Sequence, residues 1–151
     1  MACVVLGSAA DSDDVVQIAS ERAWRAIGTV DASREFRPWF LRVVANTARN
    51  HQRSRWRRRT AELRVAAQPQ SPAPDPEAST VTGAERDVVV AAMNRLDSEA
   101  RLVIALRHFE QLSEQEMADV MACPLGTVKS RLSRAMARLR AELSKEAMAS
   151  G

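Results

Sequence analysis

A proline-rich segment in the middle of the chain limits the possible folds more than any other feature of the sequence. Four of the six prolines lie in residues 66–83 (AAQPQSPAPDPEASTVTG), where apolar residues show no helical period. Such a composition buries too little apolar surface to offset the entropy lost on ordering. We therefore expect a flexible linker that joins two small domains, residues 1–65 and residues 84–151.

The composition favours helices in both domains. Hydrophobic residues make up 46% of the chain, yet it has no Tyr and only three Phe and three Trp, so the aromatic content that sheets favour is low. Apolar residues at helical spacing predict helices over residues 13–27, 36–59, 84–96, 98–109, 113–121 and 124–145. We expect an all-α fold whose C-terminal domain is a four-helix, helix-turn-helix module, with Ser113 and Glu116 in a capping box and Pro124 at a first helical position.

Several classes of protein are disfavoured by what the sequence lacks. Cys3 and Cys123 have no ligand-like spacing to His51 or His108, so neither a disulfide framework nor a zinc site is expected. No paired carboxylates, nucleophile-base arrangement or glycine-rich phosphate loop is present, so we expect no enzyme and no cofactor. No run approaches the ~20 apolar residues of a membrane span, and residues 1–6 are too short for a signal segment. A cytoplasmic protein without membrane insertion is expected.

Two predicted helices near the C-terminus have the spacing of a helix-turn-helix. Ala118 is small enough to let a second helix approach closely. Apolar side chains are placed to fill the wedge between two steeply crossing helices, namely Met117, Met121, Val128 and Leu132. Because helices packed for purely structural reasons show similar spacing, the wedge alone favours DNA binding only slightly.

The last predicted helix carries donors on the face opposite to its apolar residues. A recognition helix in a major groove needs short polar side chains near its N-terminus, and Arg or Lys for guanine edges and phosphates. At about 100° per residue, the side opposite Val128 and Leu139 carries Thr127, Ser130, Ser133 and Arg134. Three cations flank this side, namely Lys129, Arg131 and Arg138, and all seven residues are candidate DNA contacts. The alternative is a solvated basic face, which usually carries more glutamate than residues 124–145, where Glu142 is the one acid.

The predicted helix over residues 36–59 ends in a dense run of arginines. Residues 42–64 hold eight arginines against one acid, Glu62, which suits a row of phosphates. Aromatic rings among arginines suit the stacking of unpaired bases. Phe40 is better explained as core and Trp39 has the same alternative, whereas Trp56 is expected to be exposed. The candidate contacts are Trp39, Arg49, Arg53, Arg55, Trp56, Arg57, Arg58 and Arg59.

The sequence resembles the sigma-70 family, in its extracytoplasmic-function group. FRPWFLRVVANTARNHQRSRWRRR (residues 36–59) is similar to the family's second conserved region, and residues 96–140 resemble its fourth, with PLGTVKSRLSRA (residues 124–135) as the most diagnostic fragment. The resemblance implies an RNA polymerase sigma factor that directs promoter-specific transcription initiation. It also implies three partners, namely core RNA polymerase, promoter DNA and an anti-sigma factor.

The resemblance assigns a role to each domain. The N-terminal domain would bind and melt the minus-ten element with Asn46, Arg49 and Arg53, while the loop at residues 28–35 holds a flipped base. The C-terminal domain would read the minus-thirty-five element and rest on the polymerase flap. The first long helix would dock on the clamp helices of the largest polymerase subunit through Asp14, Gln17 and Arg22.

Two departures from the family keep a second function open. Family members usually carry further helices ahead of the first long helix, where this chain has only residues 2–7. Ile18, Ala19 and Ser20 also stand where the family typically has Glu, a branched aliphatic residue and Phe. The alternative is a stand-alone helix-turn-helix regulator, or a degenerate sigma-like protein, that binds DNA without polymerase. Copurification with core polymerase distinguishes these possibilities.

Overall fold

The structure, a computed structural model, describes residues 1–30, 35–65 and 84–149. Its helices are α1 (Ala2–Leu6), α2 (Ala9–Ala26), α3 (Phe36–Val65), α4 (Ala84–Asn94), α5 (Ser98–Ile104), α6 (Glu114–Met121) and α7 (Leu125–Ala149). A 3₁₀ turn (Ile27–Thr29) follows α2 and a π-helical turn (Ala105–Phe109) follows α5. The expected all-α class is confirmed. The predicted linker, and residues 31–34 of the loop expected to hold a flipped base, lie outside the described residues.

α2 begins at Ala9, so the expected start at residue 13 was wrong. Ser8 is the N-cap: its backbone is extended and its Oγ accepts a hydrogen bond from the Asp11 N–H at 3.3 Å. Asp11 therefore lies inside the first turn, where a carboxylate favours the positive end of the helix dipole. The acidic run of residues 11–14 (DSDD), which also resembles a helix start, therefore belongs to the helix and does not precede it.

The helix expected over residues 98–109 changes its winding halfway. Asp97 caps its start, because Asp97 Oδ1 accepts from the Ala100 N–H at 2.9 Å. From Ala105 the backbone is π-helical, and the Glu110 N–H donates to the Ala105 carbonyl at 3.0 Å. The expected extent is correct, but an apolar period does not distinguish α from π winding.

The ends of three other helices also differ from expectation. α3 continues past residue 59 to Val65, and α4 ends at Asn94. α7 begins at Leu125, so Pro124 precedes the helix, and its carbonyl accepts from the N–H groups of Thr127 and Val128 at 2.9 and 3.1 Å. Pro124 therefore closes the first turn from the N-cap position instead of lying inside it.

One apolar core runs through both halves of the described chain. Val15 of α2 and Ala45 of α3 are fully buried, as are Val103 of α5, Met117 of α6 and Val128 of α7. Each helix contributes a narrow apolar stripe to this core, and its opposite side stays polar. The core thereby fixes which side of α3 and of α7 faces outward.

The short helix α1 links the two halves. It packs against α2 and α3 of its own half and against α5 of the other half, and Val5 is 2% exposed. Gly7 ends α1 with φ 70°, and a Cβ added there would lie 2.9 Å from Arg101 Nη1. α3 also packs against α6. Residues 1–65 and 84–149 are thus in direct contact.

The expected capping box at the start of α6 is confirmed and supports a stability prediction. Ser113 Oγ accepts from the Glu116 N–H at 3.3 Å, and Glu116 Oε2 accepts from the Ser113 N–H at 2.7 Å. Ser113→Ala should lower the free energy of unfolding by about 0.5–2 kcal/mol near neutral pH. Urea unfolding measures this loss, and Ser144→Ala, near the C-terminal end of α7, should change stability much less.

The same box should respond to acid. Hydrogen bonds from the Ser113 hydroxyl and backbone N–H lower the pKa of Glu116 below its ordinary value of 4.5. A lowered pKa in the folded state means that stability is present above the unfolded pKa and is lost as pH falls below it. The difference between wild type and Ser113→Ala should therefore shrink as the pH falls below about 4.5. If the loss of stability caused by Ser113→Ala stayed constant down to the pKa of folded Glu116, the ionised Glu116 side chain would contribute nothing to the cap.

Candidate nucleic-acid interface

The expected helix-turn-helix is formed by α6 and α7. Met117 and Val128 are fully buried between the helices, and Ala118 is 6% exposed where they approach each other. Ala122 makes the turn with left-handed backbone angles (φ 51°, ψ 49°), and the Cys123 N–H then donates to the Ala118 carbonyl at 3.1 Å. The predicted apolar wedge is confirmed, and it orients α7 on the surface of the domain.

The polar face of α7 points away from the core, as predicted. Local hydrogen bonds orient it: Ser130 Oγ donates to the Thr127 carbonyl at 3.0 Å, and Arg134 Nε donates to the Ser130 carbonyl at 3.2 Å. Of the seven candidate residues, Thr127 and Arg131 are half-buried, and the exposed ones are Lys129, Ser130, Ser133, Arg134 and Arg138. Hydroxyl and guanidinium donors thus form one accessible surface.

Three cations along the edges of this surface are paired with acids. The pairs are Lys129 with Glu114 at 3.6 Å, Arg131 with Glu99 at 3.4 Å, and Arg138 with Asp97. A hydrogen bond from the Ala100 N–H, aided by Arg138, lowers the pKa of Asp97 and keeps it ionised. Exposed ion pairs are worth about 0–1 kcal/mol each, so a phosphate can displace them at little cost.

The candidate DNA contacts on α3 fall on different sides of that helix. At about 100° per residue, six of them share an arc of roughly 100°. These six are Trp39, Asn46, Arg49, Arg53, Trp56 and Arg57. Trp56 is 69% exposed, which confirms its predicted position. Arg49 is half-buried, since its guanidinium binds Glu99.

The remaining basic candidates on α3 lie elsewhere. Arg55 projects from the opposite side and pairs with Asp11 of α2. Arg58 is exposed too, but it lies about 100° from the nearest edge of the arc. The side chain of Arg59 lies outside the described residues. Phe40 packs against the core, as expected.

Two of the three residues expected to bind polymerase lie on the outer side of α2. Asp14 and Gln17 are exposed, and Arg22 reaches α3, where its Nη1 donates to Thr47 Oγ1 at 3.3 Å. Sequence reasoning missed the exposed apolar residues near them. Val16 is 44% exposed and Trp24 is 77% exposed. Their spacing of eight residues, with Ser20 between, would have identified a shared face.

A cleft of about 630 Å³ separates α3 from the helix-turn-helix. Asn46, Arg49 and Arg53 line one wall, and Cys123 and Arg131 line the other. Glu99 also borders the cleft and bonds both Arg49 and Arg131. Sequence reasoning missed this juxtaposition, because no periodic pattern links residues 49, 99 and 131.

Comparison with known proteins identifies both halves. The model of Sigma-70 region 2 matches residues 1–58, and that of Sigma-70 region 4 matches residues 86–139. The RNA polymerase sigma-H factor of Pseudomonas aeruginosa is 33% identical over 135 residues, covering 84% of this chain and 70% of that protein. The chain belongs to the sigma-70 family. All of α6, and α7 as far as residue 139, lie within the match of this sigma factor to region 4, and most of α3 lies within the match to region 2.

Other relatives place this sigma factor in the extracytoplasmic-function (ECF) group. The RNA polymerase sigma-E factor of Streptomyces coelicolor is 35% identical over 135 residues, covering 88% of this chain and 72% of that protein. The ECF RNA polymerase sigma-E factor of Escherichia coli is 32% identical over 133 residues, covering 83% of this chain and 70% of that protein.

Solved structures share the fold. The sigma factor RpoE, in complex with the anti-sigma factor NepR from Bartonella quintana, matches with a TM-score of 0.70 and 25% identity, covering 95% of this chain and 87% of that one. CnrH, in complex with the cytosolic domain of CnrY, matches with a TM-score of 0.64 and 29% identity, covering 95% of this chain and 79% of that one. Among the helices in the described parts of this sigma factor, none is long and apolar enough to cross a bilayer.

Proposed function

We propose that this sigma factor binds the minus-thirty-five element through α7 and the minus-ten element through α3, as two domains that divide at residues 66–83. The observation that carries the proposal is the outward, donor-bearing face of α7, opposite a fully buried Val128. A helix held in this way can enter a major groove without disturbing its own core. The protein then contributes binding energy and no catalytic step.

The upstream contact rests on the chemistry of three exposed residues. Arg134 can donate two parallel hydrogen bonds to a guanine edge, and Ser130 and Ser133 can bond to bases or phosphates close to the helix axis. Lys129 and Arg138 flank them and suit phosphates. Phosphate contacts by Lys129 and Arg138 would thereby fix the position of Arg134 along the groove.

The downstream contact rests on the arc of α3. Arg53 and Arg57 are exposed for phosphates, and Trp56 presents a ring on which an unpaired base can stack. Stacking of this kind is worth about 1–3 kcal/mol per base, comparable to the cost of unstacking one base in the duplex. An exposed Trp56 among arginines therefore favours melted DNA over duplex.

We assign polymerase binding to the outer side of α2. Val16, Trp24 and Ile27 form an exposed apolar strip along α2. Gln17 lies beside this strip, and Asp14 lies farther round the helix. A buried aromatic anchor with a polar rim is the usual composition of a protein interface. By family resemblance its partner is the clamp of the largest polymerase subunit, while the C-terminal domain rests on the flap.

An anti-sigma factor is the third proposed partner. RpoE and CnrH, which share this fold, form complexes with NepR and with the cytosolic domain of CnrY. We place the protein in the cytoplasm, where polymerase and promoter DNA are available, and assign it no cofactor.

Two tryptophan variants test this assignment in a run-off transcription assay with purified core polymerase. Trp24→Ala should lose most copurification with core enzyme while keeping its affinity for promoter DNA, since Trp24 anchors only the polymerase surface. Trp56→Ala should keep copurification and lose open-complex formation. Both side chains are largely exposed, so neither substitution should alter folding. DNA binding of the wild type without any copurification or promoter-specific transcript would favour a stand-alone regulator instead.

A further inference from the structure

Gly126, the second residue of α7, is a glycine that the free protein does not require. Its φ lies outside the left-handed region. Apart from its chain neighbours and its own turn of helix, no atom of the described residues lies within 4 Å of the point that a Cβ would occupy. Gly7 differs in both respects, with φ 70° and with Arg101 Nη1 only 2.9 Å from such a Cβ. An alanine at residue 126 would therefore fit without strain.

A glycine at this position weakens the helix that carries the proposed upstream contacts. Glycine loses more backbone freedom on folding than any other residue, and only proline is a poorer helix former. Neither the backbone conformation nor the packing at Gly126 compensates for that loss. A residue that costs stability and serves no contact of the fold indicates close approach by a molecule outside the chain.

The position of Gly126 on α7 identifies this molecule. At about 100° per residue, Gly126 lies roughly 160° round the helix from Val128, which is fully buried. Viewed down the axis, it lies between Lys129 and Arg134, and Ser130 follows one turn later on the same side. Gly126 is itself exposed. It therefore lies in the middle of the donor-bearing face that we assign to the major groove.

The dimensions of the groove explain why the absence of one side chain matters. The major groove is about 12 Å wide and about 8.5 Å deep, and an α-helix with its side chains is about 10–12 Å across. The helix therefore fills the groove, and the residues on its leading edge determine how far it enters. At Gly126 the backbone itself can approach the DNA, which brings Ser130 closer to the base edges.

We propose that Gly126 sets the depth at which the N-terminal end of α7 enters the major groove, and that it thereby controls sequence specificity without a side-chain contact of its own. The inference rests on the proposed function of α7. A Cβ at residue 126 would hold this end of the helix farther from the bases. The long side chains of Lys129 and Arg138 would still reach phosphates, so the loss would fall on base readout and not on general attachment.

Gly126→Ala in the full chain tests this role. It should weaken binding to the cognate upstream duplex by about 5- to 20-fold, the lower part of the range for one mismatched base pair. Affinity for an unrelated duplex and the salt slope should stay unchanged, because the phosphate contacts remain. In the free protein the same substitution should raise the urea midpoint, since alanine is the better helix former. A gain in stability with a loss of cognate affinity separates contact with DNA from damage to the fold.

A larger side chain and a matched position provide the control. Gly126→Leu should weaken cognate binding more than Gly126→Ala does. Ala141 is also exposed on α7, about 60° round the helix from Gly126 but roughly 22 Å farther along the axis. Because the N-terminal residues of a recognition helix enter deepest, Ala141→Leu should change cognate affinity by less than about 2-fold. Equal losses from the two leucine variants would overturn the inference.

Arg134→Ala separates this inference from the function on which it rests. Unchanged cognate affinity in Gly126→Ala, with a loss in Arg134→Ala, would overturn the role of Gly126 and leave α7 as the reading helix. Unchanged affinity in both variants would overturn the proposed function of α7. A lower urea midpoint in Gly126→Ala, or an equal loss on cognate and unrelated duplexes, would also contradict the role of Gly126.

Discussion

Replacing Arg134 by alanine is expected to weaken binding to the cognate upstream element by about 5- to 150-fold, the equivalent of roughly 1–3 kcal/mol. Arg134 is exposed at the centre of the polar face of α7, and a hydrogen bond to the Ser130 carbonyl orients it. If it bonds a guanine edge bidentately, its loss should also relax sequence preference at one base pair. Affinities for the cognate duplex and for its single-position variants measure both effects.

Arg140→Ala is the control for this substitution. Arg140 is also exposed on α7, but it lies nearly two turns closer to the C-terminus and on another side of the helix. It should reduce affinity for all duplexes slightly and equally. An Arg134→Ala protein with unchanged preference at every position would show that this side chain contacts phosphate and does not read a base.

The features predicted correctly from the sequence are those that local spacing encodes. The wedge of Met117, Met121 and Val128 follows from helical period, and Ser113 with Glu116 defines a cap within four residues. The outward position of Ser130 and Arg134 follows from the same period, because a helix that buries one stripe must expose the other.

The features that could not be predicted depend on partners distant in sequence or on competition between local signals. Ser8 and the acidic run after it both resemble helix starts, and only the hydrogen bond to the Asp11 N–H decides between them. Glu99 is an ordinary first-turn acid in the sequence. Its role as a shared ligand appears only when α3 and α7 are placed beside it.

The arginine-rich helix α3 contains both a residue whose position was predicted correctly and residues whose contacts could not be predicted. The exposure of Trp56 was predicted from the arginines around it, since a core position is incompatible with that many charges. Counting charges could not reveal that Arg55 faces α2 and pairs with Asp11, or that Arg49 is occupied by Glu99. Charge density therefore predicts a phosphate-binding helix but does not identify which cations are free to bind.

Neutralising two exposed cations of that helix, in the double variant Arg53→Gln and Arg57→Gln, should weaken DNA binding by about 30-fold at ~0.15 M salt. Each phosphate contact contributes a slope of about 0.9 in the logarithm of affinity against the logarithm of salt, so the slope should fall by roughly 1.8. Titrations at several salt concentrations, on duplexes of cognate and unrelated sequence, measure the slope directly. The loss should be the same for every sequence, since phosphates carry no base identity.

A double variant with the same change in net charge, Arg25→Gln and Arg140→Gln, separates local contact from total charge. Both of its arginines are exposed, and neither lies on α3. If the protein's overall field governed binding, the two double variants would lose similar affinity. Phosphate contacts along α3 instead require a much larger loss from the variant that lacks Arg53 and Arg57. A sequence-dependent loss in the α3 variant would instead mean that these arginines read bases, and the basic helix would then act in recognition as well as in attachment.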